Sequence, residues 1–486
     1  VSLVIPISRA KGSLSEQIYR WLREAILNGK LSASERLPAT RDLAEQLRVS
    51  RTVVVLAYEQ LLAEGYVSGR VGSGTYVSPG LRLGRTRSDA QPARIPLTRF
   101  GAAAALSASR PLLPRASAET LRYDFAYGRS EIETFPFSMW RRLLARHARK
   151  ASVRAPDYGR TAGSMALRDA IAAHLRRWRA VNCEPAQVIV VNGSQQALDL
   201  IARVLIERGD RVVLEDPAYQ GTREVLRAAG ARILPVSVDG NGLDPGKLPH
   251  DARAAFVTPS HQFPTGAILP LARRLALLDW ARTAGATVIE DDYDGEFRYD
   301  DQPLESLQGL DTEGRVIYVG TFSRTVFSAL RIGYLIVPKS LVDAFSAAKW
   351  LCDRHIPTLE QETLAEFISS GMYTRHLRRL RRRNAARRAA LLDGIREHLS
   401  GLVDITGTGA GAHVVLWPKQ RVSEAALVRS AAARGVGVYG IAAHFAKKPA
   451  RPGLMLGYSR LREAEIREGI KRLGPCLRRD DIIDVT

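Results

Sequence analysis

From Tyr123 onward the chain alternates short apolar runs with helix-length segments, and this alternation constrains the fold more than any other feature. The runs cover residues 188–191, 212–214, 254–258, 287–290, 316–319 and 334–337. Each is rich in β-branched residues and too short for a buried helix, so each reads as a strand covered on both faces. Buried strands separated by helices imply an α/β fold around a largely parallel sheet. Ligands of such sheets sit at the carboxyl ends of the strands, which directs attention to the polar residues following each run.

A length of 486 residues exceeds what one core supports. The expected organisation is an N-terminal unit over 10–79, a basic linker over 80–121 and the α/β domain over 122–478. In the first unit Ile18, Leu22, Ile26 and Leu27 fall at helical spacing, and Asn28-Gly29 stops that helix. Thr40 is the expected N-cap of a short helix through Leu47. After the turn at Arg48-Val49, Ser50 is the expected cap of a longer helix to about Glu64. Gly65 ends it, and Tyr66-Val67, Gly69, Gly72, Gly74 and Tyr76-Val77 read as a hairpin. Three helices and a hairpin make a winged helix-turn-helix, an α+β unit whose second motif helix enters the DNA major groove. There Ser50 and Thr52 are placed for phosphates, and Arg51 for a phosphate or a guanine edge. Arg41 is placed for a backbone or base contact, and Gly74 lets the wing approach the minor groove.

The charge agrees with such a partner: 71 Lys+Arg against 50 Asp+Glu leave +21, an excess that suits a polyanion, although solvated basic faces would give the same number. The linker holds Arg82, Arg85, Arg87, Arg94 and Arg99, which read equally as phosphate contacts or as a solvated tether. Residues 375–388 read as an amphipathic helix with Leu377, Leu380 and Ala385 inward and a basic outer surface. Cys183, Cys352 and Cys476 are scattered, so neither a disulfide framework nor a zinc site is expected, and no metal. No apolar run approaches a membrane span and residues 1–11 lack a signal pattern, so a cytoplasmic protein without membrane contact is expected.

The stretch ERLPATRDLAEQLRVSRTVVVLAYEQLLAEGYVSGRVGSGTYV resembles the GntR family of winged-helix regulators across nearly the whole first unit. Val49-Ser50-Arg51-Thr52-Val53 has one residue fewer between Arg and Val than the commonest form of the family. The larger part resembles fold type I aminotransferases over roughly 122–478 and, more narrowly, the MocR subfamily of GntR regulators, which carry this domain as an effector sensor.

Five segments carry that second resemblance. Asn192-Gly193-Ser194-Gln195-Gln196 follows the first strand and opens a helix, a seat for a cofactor phosphate at Ser194 and Gln195. In Glu215-Asp216-Pro217-Ala218-Tyr219, Tyr219 matches the aromatic that stacks on a pyridine ring. In Pro259-Ser260-His261-Gln262-Phe263-Pro264-Thr265-Gly266, Phe263 stands where aminotransferases have an Asn, so that hydrogen bond is lost, and His261 carries no assigned role. In Glu290-Asp291-Asp292-Tyr293, Asp291 matches the carboxylate that pairs with the pyridinium nitrogen and Tyr293 the phenol that bonds the ring hydroxyl. The fifth segment, Gly320-Thr321-Phe322-Ser323-Arg324 through Arg331, resembles the one that carries the Schiff-base lysine, and Arg324 stands at the lysine position. Arginine stays protonated and is no amine nucleophile, so an internal aldimine does not form there. Lys339, the nearest lysine, lies beyond the next strand. Thr321, Ser323 and Arg331 match phosphate ligands, and Arg324 itself suits a phosphate or carboxylate.

Pyridoxal phosphate is thus the implied cofactor, held as free compound, as a preformed amino acid adduct, or replaced by another anion. Tyr158-Gly159 resembles the loop that reaches a neighbouring subunit's phosphate, which implies a homodimer and an operator with two half-sites. Arg451 lies near the family's arginine for a substrate carboxylate and is the expected effector contact. The resulting expectation is a regulator, not an enzyme, that senses pyridoxal phosphate or a small amino compound. An active aminotransferase would need a lysine where Arg324 stands, and a cofactor-free large domain fits the same substitution.

Overall fold

The computed structural model describes residues 3–70, 73–79, 95–108, 121–151, 158–299, 304–420, 422–447 and 449–478. They form two compact units that part between Pro96 and Leu97, and each is taken by itself.

The first unit contains α1 (Leu14–Leu27), α2 (Thr40–Leu47), α3 (Arg51–Ala63) and the antiparallel hairpin of β1 (Val67–Arg70) and β2 (Gly74–Val77). Ile18, Leu22 and Ile26 are wholly buried, as their spacing requires, whereas Leu27 is exposed at the helix end. Asn28 is the C-cap of α1 and Gly29 takes a positive φ of 73°, which a side chain would oppose. The capping expectations need correction. Ala39 is the N-cap of α2 and Thr40 its first residue, while Ser50 occupies the N-cap position of α3 without a side-chain capping bond. Leu3 and Ile5 are also buried in this core, and Gln46 Nε2 donates to Leu3 O at 2.5 Å. The unit therefore begins before residue 10, a start too brief to show a period in the sequence.

In the second unit α4 (Arg99–Ala108), β3 (Tyr123–Asp124), α5 (Phe137–Ala151) and α6 (Met165–Arg179) precede the central sheet. Its strands are β4 (Val188–Val191), β5 (Arg211–Asp216), β6 (Arg232–Ser237), β7 (Ala254–Val257), β8 (Thr287–Asp292), β9 (Val316–Thr321) and β10 (Gly333–Ile336). Between them run α7 (Ser194–Leu205), α8 (Gln220–Ala229), α9 (Leu271–Ala284) and the short α10 (Leu307–Leu310). Then come α11 (Val342–Asp353), α12 (Thr358–Ser369) and α13 (Met372–His398). A smaller antiparallel sheet is built from β11 (Val403–Thr406), β12 (His413–Pro418), β14 (Tyr439–Gly440) and β15 (Leu454–Gly457). Around it lie α14 (Glu424–Ala433), β13 (Val436–Gly437) and α15 (Glu463–Leu473).

Among the described residues the central sheet has the order β4-β10-β9-β8-β7-β5-β6. It is parallel except for β10, which pairs antiparallel with both β4 and β9. This refines the expectation of a largely parallel sheet: the segment 322–332 between β9 and β10 holds no α-helix and is too little chain for a helical crossover. Strands β4, β7, β9 and β10 are buried at every residue, as two helical layers demand.

The segment read as a linker contains a helix. In α4, Ser107 Oγ donates to Glu224 Oε2 on α8 at 2.6 Å, and the Arg203 guanidinium lies 5.8 Å from the Phe100 ring centre. An Ala-rich stretch between Gly and Pro clusters concealed it. Arg82, Arg85, Arg87 and Arg94 lie outside the described residues. The helix read over 375–388 is the middle of α13, with Leu377 and Leu380 buried and Ala385 half-buried. Its outer face is not uniformly solvated: Arg387 is 1 % exposed and pairs with buried Glu131 at 2.9 Å.

Candidate functional site

A cavity of about 130 Å³ lies at the carboxyl ends of the central strands and at the start of β10. Ser194 follows β4, Tyr219 follows β5, Thr258 and Phe263 follow β7, Asp291 and Tyr293 sit at the end of β8, and Thr321, Ser323 and Arg324 at the end of β9. Arg331 precedes β10. Parallel strands gather these residues because equivalent ends share one edge of the sheet.

One end of the cavity suits a phosphate. The N-cap of α7 is Gly193, at φ 79° and without a capping side chain, so first-turn N–H groups of the helix remain available to an anion. A Cβ on Gly193 would lie 2.6 Å from Arg331 Nη2, which itself donates to Asn192 O at 3.2 Å. Thr321 Oγ1 donates to Ser323 Oγ at 3.0 Å and accepts from Ser323 N at 3.1 Å. A helix N-terminus, a guanidinium and two hydroxyls thus converge.

Asp291 stands at the base. It has access to the cavity and, among the described residues, no hydrogen bond. Burial and the neighbouring Asp292 and Asp294 push its carboxyl up to about 7, opposed by the Arg324 charge. The two flanking acids are already committed. Glu290 accepts from Leu307 N and Gln308 N, both at 2.9 Å, and Asp292 pairs with Arg179 at 2.8 Å. An uncommitted carboxylate at this place fits a protonated ring nitrogen, and with the phosphate seat it satisfies the donor set that pyridoxal phosphate requires. The walls are aromatic: Phe263 stands edge-on to Tyr219 at 5.9 Å and to Tyr293 at 5.7 Å.

Arg324 is partly buried in the cavity wall and makes no hydrogen bond or ion pair among the described residues. Its charge acts on Tyr127, Tyr219, Asp291 and Tyr293. No lysine lines the cavity among the described residues. Lys339 is exposed and bound to Glu184 at 2.6 Å, and Lys349 is paired with Asp353.

Three expected contact residues do not line this cavity within one chain. Gln195 does not line the cavity: its side chain donates to Gly221 O at 3.4 Å, and only its backbone belongs to the helix start. Tyr158 is 74 % exposed, with the Arg354 guanidinium 4.7 Å from its ring centre. Arg451 is bound to Asp404 at 2.7 Å beside a separate cleft of about 710 Å³. Arg451 precedes β15, whose Met455 packs in the aromatic cluster of Tyr127 and Phe263. Sequence reasoning missed Tyr127, Gly128, Thr258 and Ser328, which also line the cavity. Thr258 was within reach, as the last residue of an apolar run. It left His261 without a role and did not foresee its grouping with buried Asp294 and His413, whose ligating atoms lie within 4.8 Å of one another. Hydrogen bonds to Tyr293 and Pro264 account for their orientation.

In the first unit Ser50, Arg51 and Thr52 are all exposed at the N-terminus of α3. Arg51 Nε donates to Thr40 Oγ1 at 3.4 Å, which brings the exposed Arg41 at the start of α2 to the same end. Gly74 has φ 118°, and a Cβ there would lie 3.0 Å from Arg36 Nε. Arg36, bridged to Tyr76, therefore adds a cation at the wing that the helical and turn signals did not reveal.

The match to known proteins divides at the same place as the fold. Residues 14–77 match the model of bacterial regulatory proteins of the gntR family, and residues 129–473 that of aminotransferase class I and II. The probable rhizopine catabolism regulatory protein MocR of Rhizobium meliloti is 40% identical over 464 residues, 95% of this chain and 93% of its own. The chain belongs to the MocR subfamily of GntR-type regulators. Among solved structures, the multiple substrate aminotransferase of Thermococcus profundus superposes with a TM-score of 0.69 at 26% identity, covering 74% of this chain and 92% of that one. The α-aminoadipate aminotransferase LysN of Thermus thermophilus, complexed with N-(5'-phosphopyridoxyl)-L-leucine, gives 0.68 at 30% identity, covering 75% and 95%. MocR-type architecture thus joins a DNA-binding unit to an aminotransferase-like domain. Among the described residues no helix is long and apolar enough to cross a membrane.

Proposed function

We propose that this MocR-type regulator binds pyridoxal phosphate, or its adduct with a small amino compound, without a covalent bond to the chain, and transmits occupancy to DNA binding. The observation that carries the reading is the pairing of a phosphate seat with an Asp291 that, among the described residues, has no partner, in a cavity whose described wall presents Arg324 and no lysine. Ser194, Thr321, Ser323 and Arg331 hold the phosphate, Asp291 keeps the ring nitrogen protonated, and Tyr219 packs on the ring. When bound, the group supplies an electrophilic aldehyde that recognises amines. Arg324 supplies no nucleophile to it and instead offers a permanent charge to a phosphate or carboxylate. LysN, a structural neighbour, is complexed with a phosphopyridoxyl amino acid, which is the chemical form that such a cavity accepts without a lysine.

On the DNA side, Ser50, Arg51 and Thr52 read or anchor the major groove, Arg41 adds a contact, and Gly74 allows the wing to approach the minor groove. A homodimer presents two such units to two half-sites. Titration of the purified chain with pyridoxal phosphate, followed by absorbance, tests the proposal. A saturable free-aldehyde spectrum that dialysis removes, and that alters operator affinity, supports it. No binding at any concentration refutes the cofactor reading and leaves a regulator with a cofactor-free domain.

A further inference from the structure

Behind the cavity wall lies a small group that the reading above does not use. His261 Nδ1 is 2.9 Å from the Tyr293 hydroxyl and 3.0 Å from Asp294 Oδ2, and His261 and Asp294 are 2 % and 3 % exposed. Tyr293 belongs to the cavity wall. His261 Nε2 is buried without a partner. The ring lies close over two glycines: Cβ atoms on Gly411 and Gly266 would lie 2.6 Å from Nδ1 and 2.9 Å from Nε2 respectively, so its site depends on their lack of side chains.

The bonding rules of these groups leave one arrangement. An ionised carboxylate only accepts, so the Asp294 contact requires the proton on Nδ1. A proton on Nε2 would be buried with no acceptor among the described residues, which disfavours the other tautomer. Facing a protonated Nδ1, the Tyr293 oxygen accepts from the ring. Its own hydrogen must then point away from His261.

We infer that His261 and Asp294 are positioning residues that fix the Tyr293 hydroxyl as a hydrogen-bond donor into the cavity, so that the ligand must present an acceptor there, an ionised ring oxygen rather than a neutral phenol. The inference rests on the cavity reading above and specifies the ionic form of the ligand. Burial and the Asp294 charge hold the Tyr293 phenol well above its ordinary range, so the hydroxyl keeps its proton to donate. Phe263 offers no polar atom to this oxygen, and Tyr293 is left to discriminate.

The test uses the full-length chain with ¹⁵N-labelled histidine, first without ligand and then with pyridoxal phosphate. The wild type is expected to show His261 as the neutral Nδ1–H tautomer and to bind the cofactor with its ring oxygen ionised, read from the absorbance band. Asp294→Asn, whose amide donates to Nδ1, is expected to move the proton to Nε2, raise the neutral-phenol fraction and weaken binding about 10- to 100-fold, the range for a lost charge-assisted hydrogen bond. In a Tyr293→Phe background, Asp294→Asn should have little further effect. A wild-type Nε2–H tautomer overturns the inference, as does an equal loss from Asp294→Asn with and without the Tyr293 hydroxyl. An Nδ1–H tautomer in a protein that binds no pyridoxal phosphate upholds the hydrogen-bond direction and refutes the cofactor reading instead.

Discussion

Arg324 and Asp291 face one cavity from the ends of adjacent strands, and they form no ion pair with each other. A buried cation and carboxylate left apart are costly unless something between them carries both charges. On the proposed reading a phosphorylated pyridinium compound would do so, pairing with Asp291 through its ring nitrogen and with the guanidinium through an anionic group. Under that reading, Arg324 changes the ligand chemistry of the cavity rather than abolishing it.

The phosphate seat depends on a residue with no side chain. Gly193→Ala would force a Cβ to 2.6 Å from Arg331 Nη2 at a φ of 79°. The expected outcome is a loss of pyridoxal phosphate affinity of at least tenfold, with about 1–2 kcal/mol of strain in the fold. Calorimetric titration and a thermal melt measure the two effects separately.

The acidic groups beneath the sheet edge set a pH dependence. Asp291, Glu215 and Glu290 are each pushed up to about 7, chiefly by burial. The native state therefore binds more protons than the unfolded chain above the ordinary carboxylate range, and their contribution to stability falls as pH rises through about 7. Asp291→Asn removes one such group. It should raise the melting temperature of the ligand-free protein more at about pH 8 than at about pH 5, where Asp291 is already protonated. A larger effect on the acid side would contradict the sign.

On DNA, Arg51→Ala should weaken operator binding by about 1–3 kcal/mol and flatten discrimination at one base position if Arg51 reads a guanine. Equal loss on all sequences, with a shallower salt dependence, would mark a phosphate contact. Fluorescence anisotropy on operator and scrambled duplexes separates the two, and no loss on either removes α3 from the groove.

The proposed dimer has a candidate face. The Arg354 guanidinium lies 4.7 Å from the ring centre of Tyr158 and 5.7 Å from that of Trp350, beside Leu351, which is 78 % exposed. Light scattering should give about twice the 53.4 kDa of one chain, and Leu351→Asp should shift the population toward monomer. A wild-type monomer that still binds its operator tightly would count against paired half-sites.

Much of this architecture was legible in the sequence because strong local signals coincide with global ones. The apolar runs ending at Val191, Glu290 and Val319 became buried strands, and the polar residues after them met at one edge. Antiparallel β10 was less legible, since an apolar run carries no direction. The place of Arg451 was not legible either, because it lies in the irregular stretch before β15, where no periodicity fixes which way a side chain turns. The pairing of His261 with Asp294 was hidden because 33 positions separate them and neither sits in a periodic pattern. Tyr127 enters the site from the segment after β3, far from the central strands in sequence, and only the fold brings it there.

The most direct test of the central claim is borohydride reduction in the presence of pyridoxal phosphate, followed by peptide mass mapping of the wild type and of Arg324→Lys. The wild type should carry no pyridoxyl group at residue 324 or at any other cavity residue, while it still binds the cofactor reversibly. Arg324→Lys should become labelled at residue 324, because on the proposed reading Asp291, Ser194 and Arg331 hold the aldehyde beside that side chain. A wild type labelled at a specific lysine, together with an Arg324→Lys variant that takes no label at residue 324, would contradict the account.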